Sequence, residues 1–387
     1  MTQLTFAPPP PNTEATEKLR AEVRAFLDVE LAHMTPRQRA SSWSGRDPAF
    51  SKKMAEKGWI GMTWPKKYGG HERSALERYV VLEEMLAAGA PVGAHWIADR
   101  QSAPSILRFG SEEQKQFFVP KIARGELFFC IGMSEPDSGS DLAATRTRAA
   151  AVDGGFKVNG TKVWTSGAHV AHYMILFCRT DSKGDANSSD RHGGVSQFIV
   201  DMKTPGLKIS PIYDLSHEHH FNEVVFEDMF LPTSALLGNQ GDGWKQVTGE
   251  LAYERSCPDR FLSTFTLLTE GFEMLRDKVD DRAAIALGRI IAHLMTLRRM
   301  SRSIAGMLQR GEDPAVHAAV VKELGTSLEQ EMVEVLRLIV DAEPDGASAN
   351  PYVAVLAHTI MHAPSFSLRG GTREILRGMI ARGLGLR

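Results

Sequence analysis

The sequence predicts a mainly α protein with a central β domain: a helical N-terminal domain over residues 1–127, a middle β domain over 128–240 and a C-terminal helical bundle over 241–387. Three observations carry this. Apolar residues return at helical spacing through the first third. From Phe128, glycine and aspartate cluster and short β-rich runs alternate with turns. After Trp244, long amphipathic helical patterns take over.

Pro8, Pro9, Pro10 and Pro11 stand in a row. They cannot be helical, and they predict an extended, mobile arm. Helices follow, because Leu19, Val23, Phe26 and Leu27 fall on one face and the same period returns over 79–86 and 97–107. Strands are expected at 156–158, 163–165, 172–178, 198–200 and 224–226. Asn159-Gly160 sits between two of these runs and predicts a type I′ hairpin turn, since both residues tolerate a positive φ. The polar stretch 182–194 predicts an exposed loop. Helices are expected over 285–308 and 315–340, with Asp313-Pro314 opening the second, and a Pro/Gly/Ser interval at 344–351 separates the last ones.

The chain has 387 residues, enough for two or three domains at ~100 to 200 residues each. Its 45 basic and 47 acidic residues leave a net charge of -2, and no Lys/Arg block is dense enough to track a phosphate backbone, so no nucleic acid partner is expected. No apolar run reaches the ~20 residues of a bilayer span, and no basic-then-apolar leader opens the chain. A cytoplasmic protein with no membrane span is expected. Cys130, Cys178 and Cys257 form no metal or redox pattern and are expected to be inert core thiols. His217, His219 and His220 lack the acidic partners of a metal site, so a solvated loop and no metal are expected there.

Neither GxGxxG nor GxxxxGK[ST] occurs, and neither does HExxH or GxSxG. The densest set of hydrogen-bonding groups is the loop 132–141, Gly-Met-Ser-Glu-Pro-Asp-Ser-Gly-Ser-Asp, which can present donors to a planar ring or a phosphate. A tight surface turn with Asx and Ser caps has the same composition. The second candidate, 162–167 (Lys-Val-Trp-Thr-Ser-Gly), sets an indole beside two hydroxyls, and alone it reads as a strand with a core tryptophan.

Together, in this order and spacing, the two segments resemble the acyl-CoA dehydrogenase family. Supporting pieces are Gly58-Trp59, Trp64-Pro65, Tyr68-Gly69-Gly70, the Gly-Ser-Glu-Glu-Gln at 110–114, Gly125-Glu126, the Val-Asn-Gly-Thr-Lys at 158–162, Phe226-Glu227-Asp228, the run 241–244 and Gly371-Thr372. The resemblance covers residues 13–387. It implies a barrel-like middle domain, a C-terminal four-helix bundle and bound FAD. It also implies roles. Ile131, Met133, Ser134, Gly139 and Ser140 would line the isoalloxazine, with Ser134 at its pyrimidine edge and Ser140 at the flavin phosphate or the CoA arm. Trp164 would cover the ring face away from substrate, and Thr165 and Ser166 would address N5. Gly371 and Thr372 would approach from the other end.

Dehydrogenation of a thioester needs a carboxylate to take the α-proton while hydride leaves the β-carbon. Most family members carry it directly before the C-terminal Gly-Thr, where this chain has Gly370. The isovaleryl-CoA and long-chain members place it before an Arg on the first bundle helix, and Tyr253-Glu254-Arg255 stands at that point here. Glu254 is the expected catalytic base, Glu250 one turn away the fallback, and Glu374 is left structural. Placement on that helix, together with the absence of a cation at Val92, Ala94 or Ile97, implies a bulky or branched acyl group rather than a second carboxylate. The family's Arg-x-x-Phe-Gly and Gln-x-x-Gly-Gly-x-Gly elements are missing. An acyl-CoA substrate and an electron-transfer flavoprotein are the implied partners, within a homo-oligomer or a heterotetramer with a paralogue. The alternatives are a non-catalytic or half-site subunit, or a flavin oxidase or monooxygenase of the same fold.

Overall fold

The structure, a computed structural model, describes residues 4–180, 192–254 and 257–386, the side chains of 250–254 excepted. The chain divides into two compact units. One comprises Met1–Ser51, Glu72–Ala94 and Leu251–Arg387, the other Lys52–His71 and His95–Glu250.

The second unit is built on one sheet: β1 (Phe129–Gly132), β2 (Arg148–Val152), β3 (Gly155–Lys162), β4 (Tyr173–Arg179), β5 (Val195–Asp201), β6 (Leu207–Tyr213), β7 (His219–Pro232) and β8 (Leu236–Leu237). Neighbours run in the order β6-β7-β3-β2-β4-β5-β8, and β1 lies parallel to β4. The barrel-like expectation needs correction here. Among the described residues β6 and β8 do not meet, so the sheet is open. Its edges show why. The strand β8 is two residues long, and β6 carries Pro211, which has no N–H to donate and suits an edge. The core lies over the middle strands, where Cys130, Val158, Met174, Leu176, Cys178, Phe198, Val200, Val224 and Phe226 are buried together.

The turn expected at Asn159-Gly160 lies instead at Asp153-Gly154, where Val152 pairs with Gly155 and Gly154 takes φ +73°. Both pairs suit a tight turn, but Asn159-Gly160 falls inside β3. There the register against β7 shifts between Val158 and Gly160, and the Asn159 amide is engaged with Asp228, donating to Oδ1 at 3.1 Å and accepting its N–H at 2.9 Å. A Cβ at Gly160 would lie 2.6 Å from Thr147 Cα, so the glycine permits a close approach of chains. No strand forms at 163–165, because β3 ends at Lys162. His219 and His220, expected in a solvated loop, are half-buried at the start of β7. Of the loop expected at 182–194, residues 182–191 lie outside the described part.

The first unit is helical. Glu14–Glu30 and Ala75–Ala87 each open with a capping box, at Thr13 and Ser74. They pack together, and Ala75–Ala87 also packs on the long helix Asp281–Gln309. Phe265–Leu275, Asp281–Gln309, Ala315–Val340 and Pro351–Phe366 form the bundle, with Arg373–Gly383 laid against Ala315–Val340. The proline arm is extended as expected but docked: Arg302 Nη2 donates to Pro10 O at 2.8 Å, and Gly306 leaves room for the Pro10 ring. Among the described residues no helix is long and apolar enough to cross a membrane.

Candidate functional site

Within the second unit the two motif segments are held side by side. Val163 N–H donates to Ser134 O at 2.9 Å, and Lys162 Nζ donates to Met133 O, also at 2.9 Å. Lys162 is fully buried and forms an ion pair with Glu135 at 2.8 Å. Glu135 also accepts Thr145 Oγ1 at 2.5 Å, Arg146 N at 2.6 Å and Thr147 N at 2.9 Å. Burial by itself would raise the Glu135 carboxyl, but the Lys162 charge and the bonds from Lys162, Thr145 and Thr147 outweigh it and hold the carboxyl down to about 2. The pair is therefore a fixed post from which the loop leaves and to which it returns. Ile131 is half-buried in β1, Met133 and Ser134 are half-buried, and Gly139 and Ser140 are exposed at the loop's outer end. The turn between them is closed by the Glu135–Ser138 backbone pair and by Ser138 Oγ donating to Asp141 O at 2.8 Å.

Beyond Lys162 the chain kinks. Trp164 takes φ +56°, uncommon for a bulky residue, and turns its indole outward to 59% exposure beside the edge of Phe221. Thr165 is turned inward and is 1% exposed, yet its Oγ1 has no hydrogen-bond partner among the described residues. Ser166 is half-buried. A buried hydroxyl without a partner costs about 1 to 3 kcal/mol, so Thr165 Oγ1 is a donor able to take an acceptor brought to it.

In the first unit, Gly370 and Gly371 take φ +65° and +96°, a tight turn before Thr372, the N-cap of Arg373–Gly383. Lys322 Nζ donates to Gly371 O, and Arg373 pairs with Glu323 at 3.2 Å. The preceding Arg369 reaches Ser263 Oγ at 2.8 Å and Glu329 at 3.3 Å. The helix Gly243–Glu254 carries Glu250 and Glu254, and both side chains lie outside the described residues. The structure thus brings the loop and the Trp164 segment together, while Gly371 and Thr372 belong to the other unit.

The acyl-CoA dehydrogenase N-terminal domain family matches residues 13–126, and its middle domain family matches 130–229. FadE26 of Mycobacterium tuberculosis, named an acyl-CoA dehydrogenase, is 31% identical over 96% of this chain and 98% of its own length. The chain belongs to the acyl-CoA dehydrogenase family. FadE29 of the same organism is 31% identical over 95% of the chain and 96% of its own length, whereas the chain spans 45% of FadE34, which is 32% identical. Among solved structures, the Tcur3481-Tcur3483 steroid ACAD superposes with a TM-score of 0.85 at 28% identity, covering 97% of this chain and 99% of that one. The ChsE4-ChsE5 complex from Mycobacterium tuberculosis gives 0.83 at 30% identity, covering 98% and 99%.

As an acyl-CoA dehydrogenase the chain is an FAD-dependent oxidoreductase acting on the CH–CH bond of acyl-CoA thioesters. The residues present fit the cofactor. The Thr165 hydroxyl is a buried donor in want of an acceptor, the exposed Trp164 indole offers a flat face, and the loop 133–140 carries hydroxyls at its mouth. Reasoning from the sequence singled out these segments but missed the buried Glu135–Lys162 pair between them. The sequence carried no local signal for it, because Lys162 is seen to point inward only once the strand Gly155–Lys162 and its pairing are in place. Asn222, whose side-chain oxygen meets His169 and His219, was missed as well.

Proposed function

We propose that this acyl-CoA dehydrogenase desaturates a bulky acyl-CoA thioester at the α,β bond, with Glu254 as the base. Bound FAD supplies the hydride acceptor at N5. Glu254 takes the α-proton; the helix Gly243–Glu254 ends on it, and the usual alternative position is Gly370, which has no side chain to act. Thr165 donates to the flavin edge, with Ser166 beside it, and Trp164 covers the ring face away from substrate. Met133 and Ser134 hold its pyrimidine side, Ile131 lines it, and Gly139 and Ser140 meet the phosphate or the CoA arm. Gly371 and Thr372 address the cofactor from the C-terminal turn. The single observation that carries the reading is the buried Thr165 hydroxyl without a partner, in the segment the family's flavin motif predicts.

A ring-bearing acyl group is favoured by the steroid ACAD likeness at 28% identity. Between the helices Gly93–Ile97 and Ala103–Phe109 lies a π-helical turn over Ala98–Ser102, in which Asp99 accepts Gly61 N–H at 2.8 Å. Such turns recur at functional sites. Electrons pass on to an electron-transfer flavoprotein. The three buried, unbridged cysteines fit a reducing compartment, which we take to be the cytoplasm.

A second reading has its own observation. One similar structure is named as the ChsE4-ChsE5 complex and another carries the paired name Tcur3481-Tcur3483, and this chain lacks the usual C-terminal carboxylate, so it would serve as the half-site subunit of a heterotetramer. Exposed Ile285, Ile291 and Met295 along Asp281–Gln309 support assembly with a partner or with further copies. Anaerobic titration of the purified protein separates the readings. The first predicts a yellow protein bleached by ring-bearing or branched acyl-CoA thioesters. A colourless protein that also fails to bind added FAD contradicts it, and a yellow one bleached only after a paralogue is added favours the second.

A further inference from the structure

Asn222 is fully buried near the start of β7 and grips the Thr165 peptide from both sides. Its backbone carbonyl accepts Thr165 N–H at 3.0 Å, and its side-chain Nδ2 donates to Thr165 O at 2.9 Å. Since a carbonyl oxygen only accepts, the amide must turn its NH2 toward Thr165 and its Oδ1 away. On that far side Oδ1 meets His219 Nε2 at 2.8 Å and His169 Nδ1 at 3.2 Å. Both ring nitrogens must then donate, which sets His219 as the Nε2–H form and His169 as the form protonated at Nδ1. The two imidazoles stack 3.8 Å apart at 21°, with Tyr213 5.7 Å from His219, so their N–H groups converge on one oxygen. A flipped amide would set oxygen against the Thr165 carbonyl and NH2 against two donors. Two imidazoles thus lock one amide.

What the amide holds is a segment that needs holding. Trp164 sits at φ +56°, a conformation that persists in a bulky residue only when its surroundings enforce it. The next residue is Thr165, whose buried hydroxyl has no partner among the described residues. We propose that Asn222, oriented by His169 and His219, is the positioning residue that aims the Thr165 hydroxyl at the flavin ring. The inference rests on the reading of Thr165 as flavin-facing. Asn222 touches neither cofactor nor substrate and acts through the Thr165 backbone.

The test combines Asn222→Asp, which sets a carboxylate oxygen against Thr165 O, with Thr165→Val, which deletes the hydroxyl, and with their double variant. Hydrogen exchange of the peptide over 163–168 is followed in protein without flavin; the visible flavin band, its midpoint potential and anaerobic bleaching are followed with FAD bound. Asn222→Asp is expected to speed exchange in that peptide, shift the flavin band and potential, and slow bleaching roughly tenfold or more, as misplacement of a reacting group does. In the Thr165→Val background it is expected to add nothing to band, potential or rate. His169→Phe, at an exposed position, keeps the stack, drops one donor and is expected to shift the band in the same direction. An unchanged band in His169→Phe overturns the proposal even where Asn222→Asp does not fold. An Asn222→Asp effect that adds in full to Thr165→Val overturns it too. Should Thr165→Val alone leave band and potential unmoved, the flavin-facing reading beneath the proposal fails, and the proposal with it.

Discussion

Glu135 and Lys162 show how much of the site rests on residues outside the two motifs. Both are buried, and each is satisfied through the other and through the Met133, Thr145, Arg146 and Thr147 groups they tie together. Removing one partner leaves an uncompensated charge. Lys162→Met is therefore expected to cost about 3 to 5 kcal/mol in denaturant unfolding, while a double replacement by apolar residues of similar volume recovers most of it. The carboxyl of Glu135 is held below its unfolded value, so its contribution is present above roughly pH 4.3 and is lost as pH falls toward about 2. An acid-unfolding midpoint that moves upward in Glu135→Gln's parent relative to the variant would contradict this. At this scale the sequence was partly legible. Hydroxyls and the indole stand out by type, as at Ser134, Trp164 and Thr165, but a buried ion pair is invisible until the fold shows that Lys162 points inward.

Among the elements, β3 is where local rules and tertiary pairing diverge. Asn159-Gly160 and Asp153-Gly154 are both good turn pairs, and only the partner strands decide between them. The two glycines are accordingly expected to respond differently. Gly154→Ala meets no atom within 4 Å and costs the ~1 kcal/mol of a left-handed residue, whereas Gly160→Ala also drives a Cβ to 2.6 Å from Thr147 Cα and costs more. Thermal unfolding of the two variants measures this, and equal losses would refute it. Helices were easier to read. Those expected over 285–308 and 315–340 stand at Asp281–Gln309 and Ala315–Val340, because twenty or more residues of helical periodicity outweigh any single local signal. The π-helical turn at Ala98–Ser102 carries no such periodic signature and was not foreseen.

For the molecule as a whole, the order of helices, sheet and bundle was legible from the change of period along the chain, whereas long-range ion pairs were not. In the first unit Arg20 bridges Glu83 and Glu84, and Arg298 clasps Glu83 at 2.7 and 2.9 Å, joining segments 215 residues apart. Burial would raise the Glu83 carboxyl, but bonds and charge from Arg298 and Arg20 bring it below its ordinary value. Arg298→Ala is expected to lower stability by about 1 to 2 kcal/mol, the partial exposure of its side chain limiting the loss, and to do so at neutral pH more than near pH 3. The same loss at both pH values would contradict the assigned charge state.

The function itself turns on one carboxylate at the end of the helix Gly243–Glu254. Stopped-flow anaerobic reduction of the flavin by an acyl-CoA thioester that bleaches the parent protein, repeated with Glu254→Gln, tests it most directly. Full flavin content with reduction slowed by roughly a hundredfold or more is the predicted result. Parent-like reduction in Glu254→Gln, with the loss appearing in Glu250→Gln instead, would show that the proton leaves by another residue.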